Sequence, residues 1–541
     1  MKTAIRTIGR DRQVDRFWLV GLLVAALILF GASLGNLPLR DWDEGTIAQV
    51  AREIWRSPPA SLPWLYPTLN GAPYLNKPPL VHGLIALAYS IGGVNELTTR
   101  LPSALLTALS VPLLYTIGRE LFPRRTPAIF AALVYLTLLP VVRHGRLAML
   151  DGPALCFFLL MVLCVLRSRR NLHYALGVGI SFGLICLTKG ILGLLLGAIA
   201  IVFLAWDTPR LLGSLYAWLG VLIGCAPALG WCAAQWQYYG GEFIEIHLLA
   251  QSFDRIGSAV ETNSGPPWYY LLELLEYSWP WLLFAIPGLR RIWRERNWGA
   301  SKLILVWVAV YLTAISVMGT KLPWYVFPIY PVLALVAGVQ LSEIWHTAAV
   351  TGMPDEVVKP YPRVWVGVLA LLALGGWGAT VYFTTVAVDR HFLVTLLAIS
   401  VTMTFAGFLV VRRDAQFIPI LFWGMYVSLL LFVTSDRWIW ELNEDYPVPP
   451  VAEMMRSHVP PDRIVCTTHP HNRPSLNFYS DRQVMLADAP DSEPHCQNPA
   501  VSAYWLVQPT QTIPGDRILG EAVGWKLVIR DAREKLSPLE I

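Results

Sequence analysis

Apolar runs close to the ~20 residues that an α-helix needs to cross the hydrocarbon core of a bilayer recur from Phe17 to Thr434. Short charged or proline-rich links separate them. The pattern predicts a polytopic, all-α membrane region of about thirteen spans over residues 1–434. Leu80 to Gly92 departs from it, because about 13 residues suit an interfacial helix better than a crossing. After Thr434 the periodicity changes to short β-like runs, such as Arg463 to Thr467 and Tyr504 to Val507, among Pro, Asp and Asn. Residues 435–541 therefore read as a small soluble α/β domain.

Charge orients this pattern, since Lys and Arg gather in the cytoplasmic links of membrane proteins. A basic leader (Lys2, Arg6, Arg10, Arg12, Arg16) precedes the first run, Phe17 to Leu34, which lacks a small-x-small cleavage site and reads as a retained span. The links Arg119 to Arg125, Arg167 to Arg170, Arg210, Arg290 to Lys302, Lys359 to Arg363 and Arg412 to Arg413 share the leader's side if the Leu80 run stays uncrossed. Outside the membrane this leaves a first loop, 37–100, a second, 236–267, and the tail, 435–541.

Composition narrows the function classes. The chain is 55% apolar with 23 Trp and only 15% charged residues, far from the roughly 25% charge of an average soluble domain. Its net charge of +5 is modest and no long basic-aromatic tract occurs, which argues against a nucleic-acid partner. Cys156, Cys164, Cys186, Cys225 and Cys232 lie in apolar runs as small hydrophobes. Cys466 and Cys496 lie in the tail, where an oxidising exterior permits a bridge. No P-loop is present, so soluble-nucleotide chemistry is not indicated.

The chemistry is therefore sought among charges on the outer side, where the topology bias disfavours cations. Arg52, Arg56, Lys77, Arg100, Arg143, Arg146, Lys189, Arg255 and Lys321 map at or beyond the outer ends of spans. Snorkelling accounts for half or more of them; the rest suit an anionic ligand at the interface, for which a lipid phosphate is the natural candidate. Lys77, followed by Pro78-Pro79, stands ahead of the free N–H groups of the Leu80 helix. Lys189, between two apolar runs, is an intramembrane charge of the kind that marks function. Among carboxylates, Asp43-Glu44 opens a helix with Ile47, Val50, Ala51 and Ile54 on one face and Gln49, Arg52, Glu53 and Arg56 on the other, a pattern expected to lie on the membrane. Asp43 would be its N-cap or a functional group. Asp151 precedes Gly152-Pro153 at the start of the next span, where a helix N-terminal carboxylate is again the plain alternative. The pair His469 and His471 lacks a metal-ligand set and reads as solvated.

These residues resemble motifs of the GT-C membrane glycosyltransferases, especially the lipid A aminoarabinose transferases (ArnT) and, more distantly, the protein O-mannosyltransferases. Asp43-Glu44 with Ile47-Ala48 and Ala51-Arg52-Glu53 is similar to the family's acidic first-loop motif, and Tyr74 to Leu80 to its Lys-Pro-Pro-Leu element. Arg100-Leu101-Pro102-Ser103-Ala104, Met149-Leu150-Asp151, Thr188-Lys189-Gly190 and Lys321-Leu322-Pro323-Trp324-Tyr325 resemble later elements, in family order. The resemblance implies inverting transfer of a hexose or pentose from a polyprenyl-phosphate carrier to a lipid (lipid A-like) or protein acceptor in the cell envelope. It implies a multi-pass protein of the inner (plasma) membrane with its tail in the periplasm or exterior. Lys77 and Arg255 would bind the lipid phosphate, Lys189, Tyr325, Arg143 and Lys321 would line the cavity, and Asp43, Asp151 and Glu44 would be the catalytic carboxylates. A divalent metal is the cofactor the resemblance leaves open, although Asn76 stands where the family pattern has an acidic residue. A transporter or lipid flippase is the competing reading, but its charges would gather near the midplane in repeated halves; here they gather at one face.

Overall fold

A computed structural model describes residues 2–259, 263–351, 361–439, 446–487, 496, 503–513 and 515–530. The chain divides into two compact units. One comprises Met1–Leu34, Leu75–Val81 and Arg100–Ile439, the other Gly35–Tyr74, His82–Thr99 and Trp440–Ile541. The first outer loop thus groups largely with the tail. Residues 359 and 360 of the Lys359 to Arg363 link lie outside the described residues.

The first unit is helical. Among the described residues, eight helices are long and apolar enough to cross a membrane, nine if the pair Arg125–Leu136 and Leu139–Arg146, bent by 58°, is one span. Tyr174–Lys189, Leu192–Asp207 and Phe417–Val433 are shorter apolar helices. Large side chains such as Leu222, Leu229, Leu371 and Leu374 are exposed on the unit's flanks, a surface that requires lipid rather than water. Its interior packs Phe158 edge-on to Trp307 and Trp281 against Phe422.

Ion pairs and buried arginines sort the helix ends onto two faces. On one face, Asp15 of the Lys2–Gly31 helix meets Arg119 at 3.1 Å and Arg125 at 2.8 Å. Glu120 meets Arg167 and Arg170, each at 3.1 Å, and Asp207 meets Arg169 at 3.1 Å and Lys302 at 3.4 Å. These pairs join the leader's helix to the 119–125, 167–170 and 290–302 clusters. At the opposite end of the first helix, the buried Arg146 guanidinium donates to the carbonyls of Leu29 at 2.8 Å, Ala32 at 2.6 Å and Val433 at 3.4 Å. It thereby satisfies C-terminal carbonyls of the Lys2–Gly31 and Phe417–Val433 helices together. Arg100, which donates to the Leu34 carbonyl at 3.0 Å, shares the Trp438 ring with it. Both helices therefore run from the cation-rich face to the other, and the chain leaves the last of them on that other face. Single cysteines placed in 290–302 should react with an impermeant thiol reagent only after permeabilisation, whereas cysteines in the tail should react in intact cells. Equal reactivity of both from outside would contradict this orientation.

The second unit is built on a five-stranded sheet. The strands among the described residues are β1 (Thr68–Leu69), β2 (Ala72–Pro73), β3 (Ile464–Thr467), β4 (Gln483–Leu486), β5 (Tyr504–Val507), β6 (Arg517–Ala522) and β7 (Trp525–Ile529), and the sheet order is β4-β3-β5-β7-β6. β3 is parallel to β4 and β5, and β7 is antiparallel to β5 and β6. The parallel β3–β4 connection needs a crossover, which the Pro474–Ser480 helix supplies. Alternation sends Val465 to a core with Met455, Leu476 and Leu527, and Cys466 to the other face with Trp505 and Val528. Cys466 and Cys496 form a disulfide on that second face.

Two expectations are corrected within this unit, one in the first loop and one in the tail. The Thr46–Arg56 helix does not present its polar face to water. Arg52 donates to the Phe478 carbonyl at 2.7 Å and the Asn477 carbonyl at 3.0 Å and pairs with Asp481 at 3.2 Å, while Arg56 reaches the same carboxylate. Its apolar face, with Val50 and Ile54, packs on Tyr74 and Ala86 instead of lying on a membrane. Second, His469 is not solvated. It is buried between Tyr446 and Trp525, and its Nδ1 lies 2.8 Å from the His471 carbonyl oxygen.

Candidate functional site

Helix ends assemble the cationic site in the helical unit. Asp151 is the first residue of the Asp151–Ser168 helix and Lys189 the last of Tyr174–Lys189. Gly190 ends the latter helix at φ +59°, a conformation L side chains rarely adopt, and a Cβ there would lie 3.4 Å from His247 Nε2. Lys189 Nζ lies 2.5 Å from Asp151 Oδ1 and 5.7 Å from the centre of the Tyr325 ring. Tyr325 Oη accepts from Arg255 at 3.1 Å. An unbroken chain of contacts therefore links Asp151, Lys189, Tyr325 and Arg255.

Lys77 belongs to the same neighbourhood. Its ammonium donates to Gln251 Oε1 at 3.0 Å, and His247, one turn earlier, holds the Leu75 carbonyl at 3.1 Å while stacking on Phe243. Burial first, then the positive charges of Arg255 and Lys189, push the Lys77 ammonium down to about 7, only partly offset by Asp151. Three cations so close repel one another, and an anion between them would relieve that repulsion.

A pH dependence follows. A phosphodiester stays anionic above acid pH, so binding of such a group here favours protonated Lys77. Affinity should be highest below pH 7 and fall by up to ~10-fold per unit as pH rises through the Lys77 value. Lys77→Arg, which stays charged, should bind with little change from pH 6 to about 9. Titration calorimetry at several pH values checks both; a flat profile for the unsubstituted protein would contradict the assignment.

The remaining predicted residues are placed differently. Lys321 Nζ donates to the carbonyls of Ile315 at 3.0 Å and Ser316 at 2.7 Å, capping the Gly299–Val317 helix, and lies over the Tyr270 ring. Arg143 is buried on the Leu139–Arg146 helix, beside His144, which leans on Trp324 and Phe327. Gln251 and His247 were not among the expected residues. Gln251 lies four residues before Arg255, a spacing that puts the two on one helical face.

The acidic stretch Asp41-Trp42-Asp43-Glu44-Gly45 lies in the second unit, as a wide helical turn ahead of the Thr46–Arg56 helix. Asp43 is inside this turn and caps no N-terminus, contrary to the simplest expectation. Asp41 is fixed by Arg473 Nε at 2.6 Å and the Ser475 N–H at 3.1 Å. Glu44 is fully buried and accepts from the Arg40 N–H at 3.0 Å. Gly45 is required where it stands, because a Cβ would come 2.8 Å from Ser475 N. Asp43, 28% exposed, pairs with Arg40 at 3.1 Å. Of the three acids, it is the one a small molecule can reach.

A divalent metal would need several oxygen ligands together. Among the described residues, no three His, Cys, Asp or Glu side chains stand so grouped. Asn76 also occupies the position where the family pattern has an acid.

Comparison with known proteins shows the fold. The crystal structure of ArnT from Cupriavidus metallidurans bound to undecaprenyl phosphate superposes with a TM-score of 0.72 at 19% identity, covering 95% of this chain and 98% of that one. The chain has the ArnT fold. An archaeal oligosaccharyltransferase, AglB from Archaeoglobus fulgidus, shares it less closely, with a TM-score of 0.51 at 13% identity over 91% of this chain and 69% of that chain. Sequence likeness to ArnT points the same way. An undecaprenyl phosphate-alpha-4-amino-4-deoxy-L-arabinose arabinosyl transferase of Pseudomonas fluorescens is 29% identical over 345 residues, 60% of each chain. The chain spans about 60% of the length of the curated relatives it matches. Residues 76–231 match the dolichyl-phosphate-mannose-protein mannosyltransferase family, a stretch that contains Lys77, Arg143, Asp151 and Lys189.

Proposed function

We propose that the protein is a membrane glycosyltransferase that moves a sugar from a polyprenyl-phosphate carrier to a lipid or protein acceptor on the outer face of the membrane, with inversion. The grouping of Lys77 with Arg255 and Lys189, the latter two both on Tyr325, in a chain with the ArnT fold, carries this reading. The arabinosyl relatives favour a pentose-type sugar on an undecaprenyl carrier, and the motif resemblance a lipid A-like acceptor.

In this reaction the acceptor oxygen bonds to the anomeric carbon as the bond from that carbon to the phosphate oxygen breaks. The electron pair leaves with the carrier phosphate. Lys77 and Arg255 stabilise the charge gathering there, and Asp151 keeps the Lys189 ammonium fixed. A phosphate leaves without prior protonation, so the acid of a glycoside hydrolase pair is dispensable. Asp43 takes the acceptor hydroxyl's proton, or orients an acceptor that arrives already ionised.

A multi-span helical unit with buried charge also describes a flippase, but the fold likeness favours the transferase. The direct test supplies purified protein with undecaprenyl-phosphate aminoarabinose and lipid A and follows release of free undecaprenyl phosphate. Release that depends on acceptor supports the proposal. Movement of the intact donor between leaflets without cleavage would replace it with the flippase.

A further inference from the structure

The helix ends opposite the Lys189 site enclose a cavity of about 760 Å³ that the transfer chemistry does not use. It is lined by Glu120, Arg169, Arg170, Asp207 and Arg210, with Leu166 and Pro209. We propose that it binds the phosphate of an anionic phospholipid headgroup in the cytoplasmic leaflet.

The charge arrangement carries the argument. Both carboxylates are occupied on both oxygens: Glu120 by Arg167 and Arg170, Asp207 by Arg169 and Lys302. Arg167 and Lys302 do not line the cavity. Arg169 and Arg170 are paired to the same two acids, so the two carboxylates are shared among four cations and Arg210 of the lining adds a fifth. Five cations against two carboxylates leave a local charge of +3. Acids held this way also position their arginines, because the forked guanidinium of Arg169 keeps donors beyond those spent on Asp207.

Phosphate is the anion this geometry suits, since planar guanidinium forks match its oxygens. Lipid is the favoured source because of depth. Trp206, at the end of the Leu192–Asp207 helix, and Trp298, just before the Gly299–Val317 helix, are exposed beside the cavity's cations, and Lys302 lies 5.8 Å from the Trp206 ring centre. Exposed tryptophans beside basic helix ends mark headgroup level. Basic pockets between spans on the cytoplasmic side are sites for anionic headgroups. The volume also lies within the range of small-molecule pockets.

The test is native mass spectrometry of the detergent-solubilised full chain with phosphatidylglycerol or phosphatidylcholine added, with and without millimolar inorganic phosphate. It compares the unsubstituted protein with the double variant Arg170→Gln, Arg210→Gln. Both residues are exposed, so their loss should cost little stability. The proposal expects one retained phosphatidylglycerol that phosphatidylcholine does not replace and inorganic phosphate does not displace. The double variant should hold it at least ~10-fold more weakly, the scale of one lost charge-assisted contact, while binding undecaprenyl phosphate normally. Equal retention of the two lipids would overturn the proposal, as would an unchanged double variant. Displacement by inorganic phosphate would assign the site to the free anion instead.

Discussion

Asp43→Asn is expected to lower turnover by about 100-fold or more, the usual scale for a lost general base, while the protein stays folded and keeps its donor. Three acids compete for this role in the 41–45 turn, and their surroundings separate them. Asp41 is buried against Arg473 and Ser475, and Glu44 is buried on the Arg40 N–H. Both hold the turn together, so their replacement should reduce folded protein first. Asp43 is partly exposed and pairs with the buried Arg40, to which an asparagine Oδ1 can still offer an acceptor. Asparagine keeps its size and loses only charge and basicity. Steady-state turnover with saturating donor, alongside a melting temperature, measures both effects. Near-normal turnover would move the base to Asp151.

Lys77→Ala and Arg255→Ala should each weaken undecaprenyl phosphate binding by about 10- to 100-fold, as expected for a lost charge-assisted hydrogen bond of ~1.5–3 kcal/mol. The two should not be additive. Lys77 is held down to about 7 partly by Arg255, so removing Arg255 lets Lys77 stay protonated at higher pH and partly compensates. The pH dependence of binding should therefore shift upward in Arg255→Ala. Binding measured across pH for the two single variants and the double checks this. Unchanged affinity in both single variants would refute the phosphate assignment.

Much of this was legible in the sequence because lipid and pairing impose periodicity. The Leu80–Gly92 helix has the length its apolar run predicts, and β3 and β5 coincide with the alternating runs read as strands. Lys189 could be singled out because a lone cation between apolar runs has few ordinary explanations, and Arg255 because it is an outer-side cation at a position the family resemblance picks out. The fate of the Thr46–Arg56 polar face could not. Arg52 is satisfied by backbone carbonyls of Asn477 and Phe478, 425 and 426 residues away, and a carbonyl carries no side-chain signature. Its amphipathic pattern is the same whether the partner is lipid or protein. Lys321 misleads for a related reason: the sequence shows a cation beside a span, while the structure spends its donors on the helix end five and six residues earlier. Gln251, by contrast, was readable from its four-residue spacing to Arg255.

The central claim is that the chain consumes a polyprenyl-phosphate sugar. Mass spectrometry of the polyprenyl-phosphate pool in cells lacking the protein tests it most directly. One sugar-loaded carrier should accumulate and return to its normal level when the protein is restored, but not when Asp43→Asn is supplied. A carrier pool that is unchanged by loss of the protein would contradict the account.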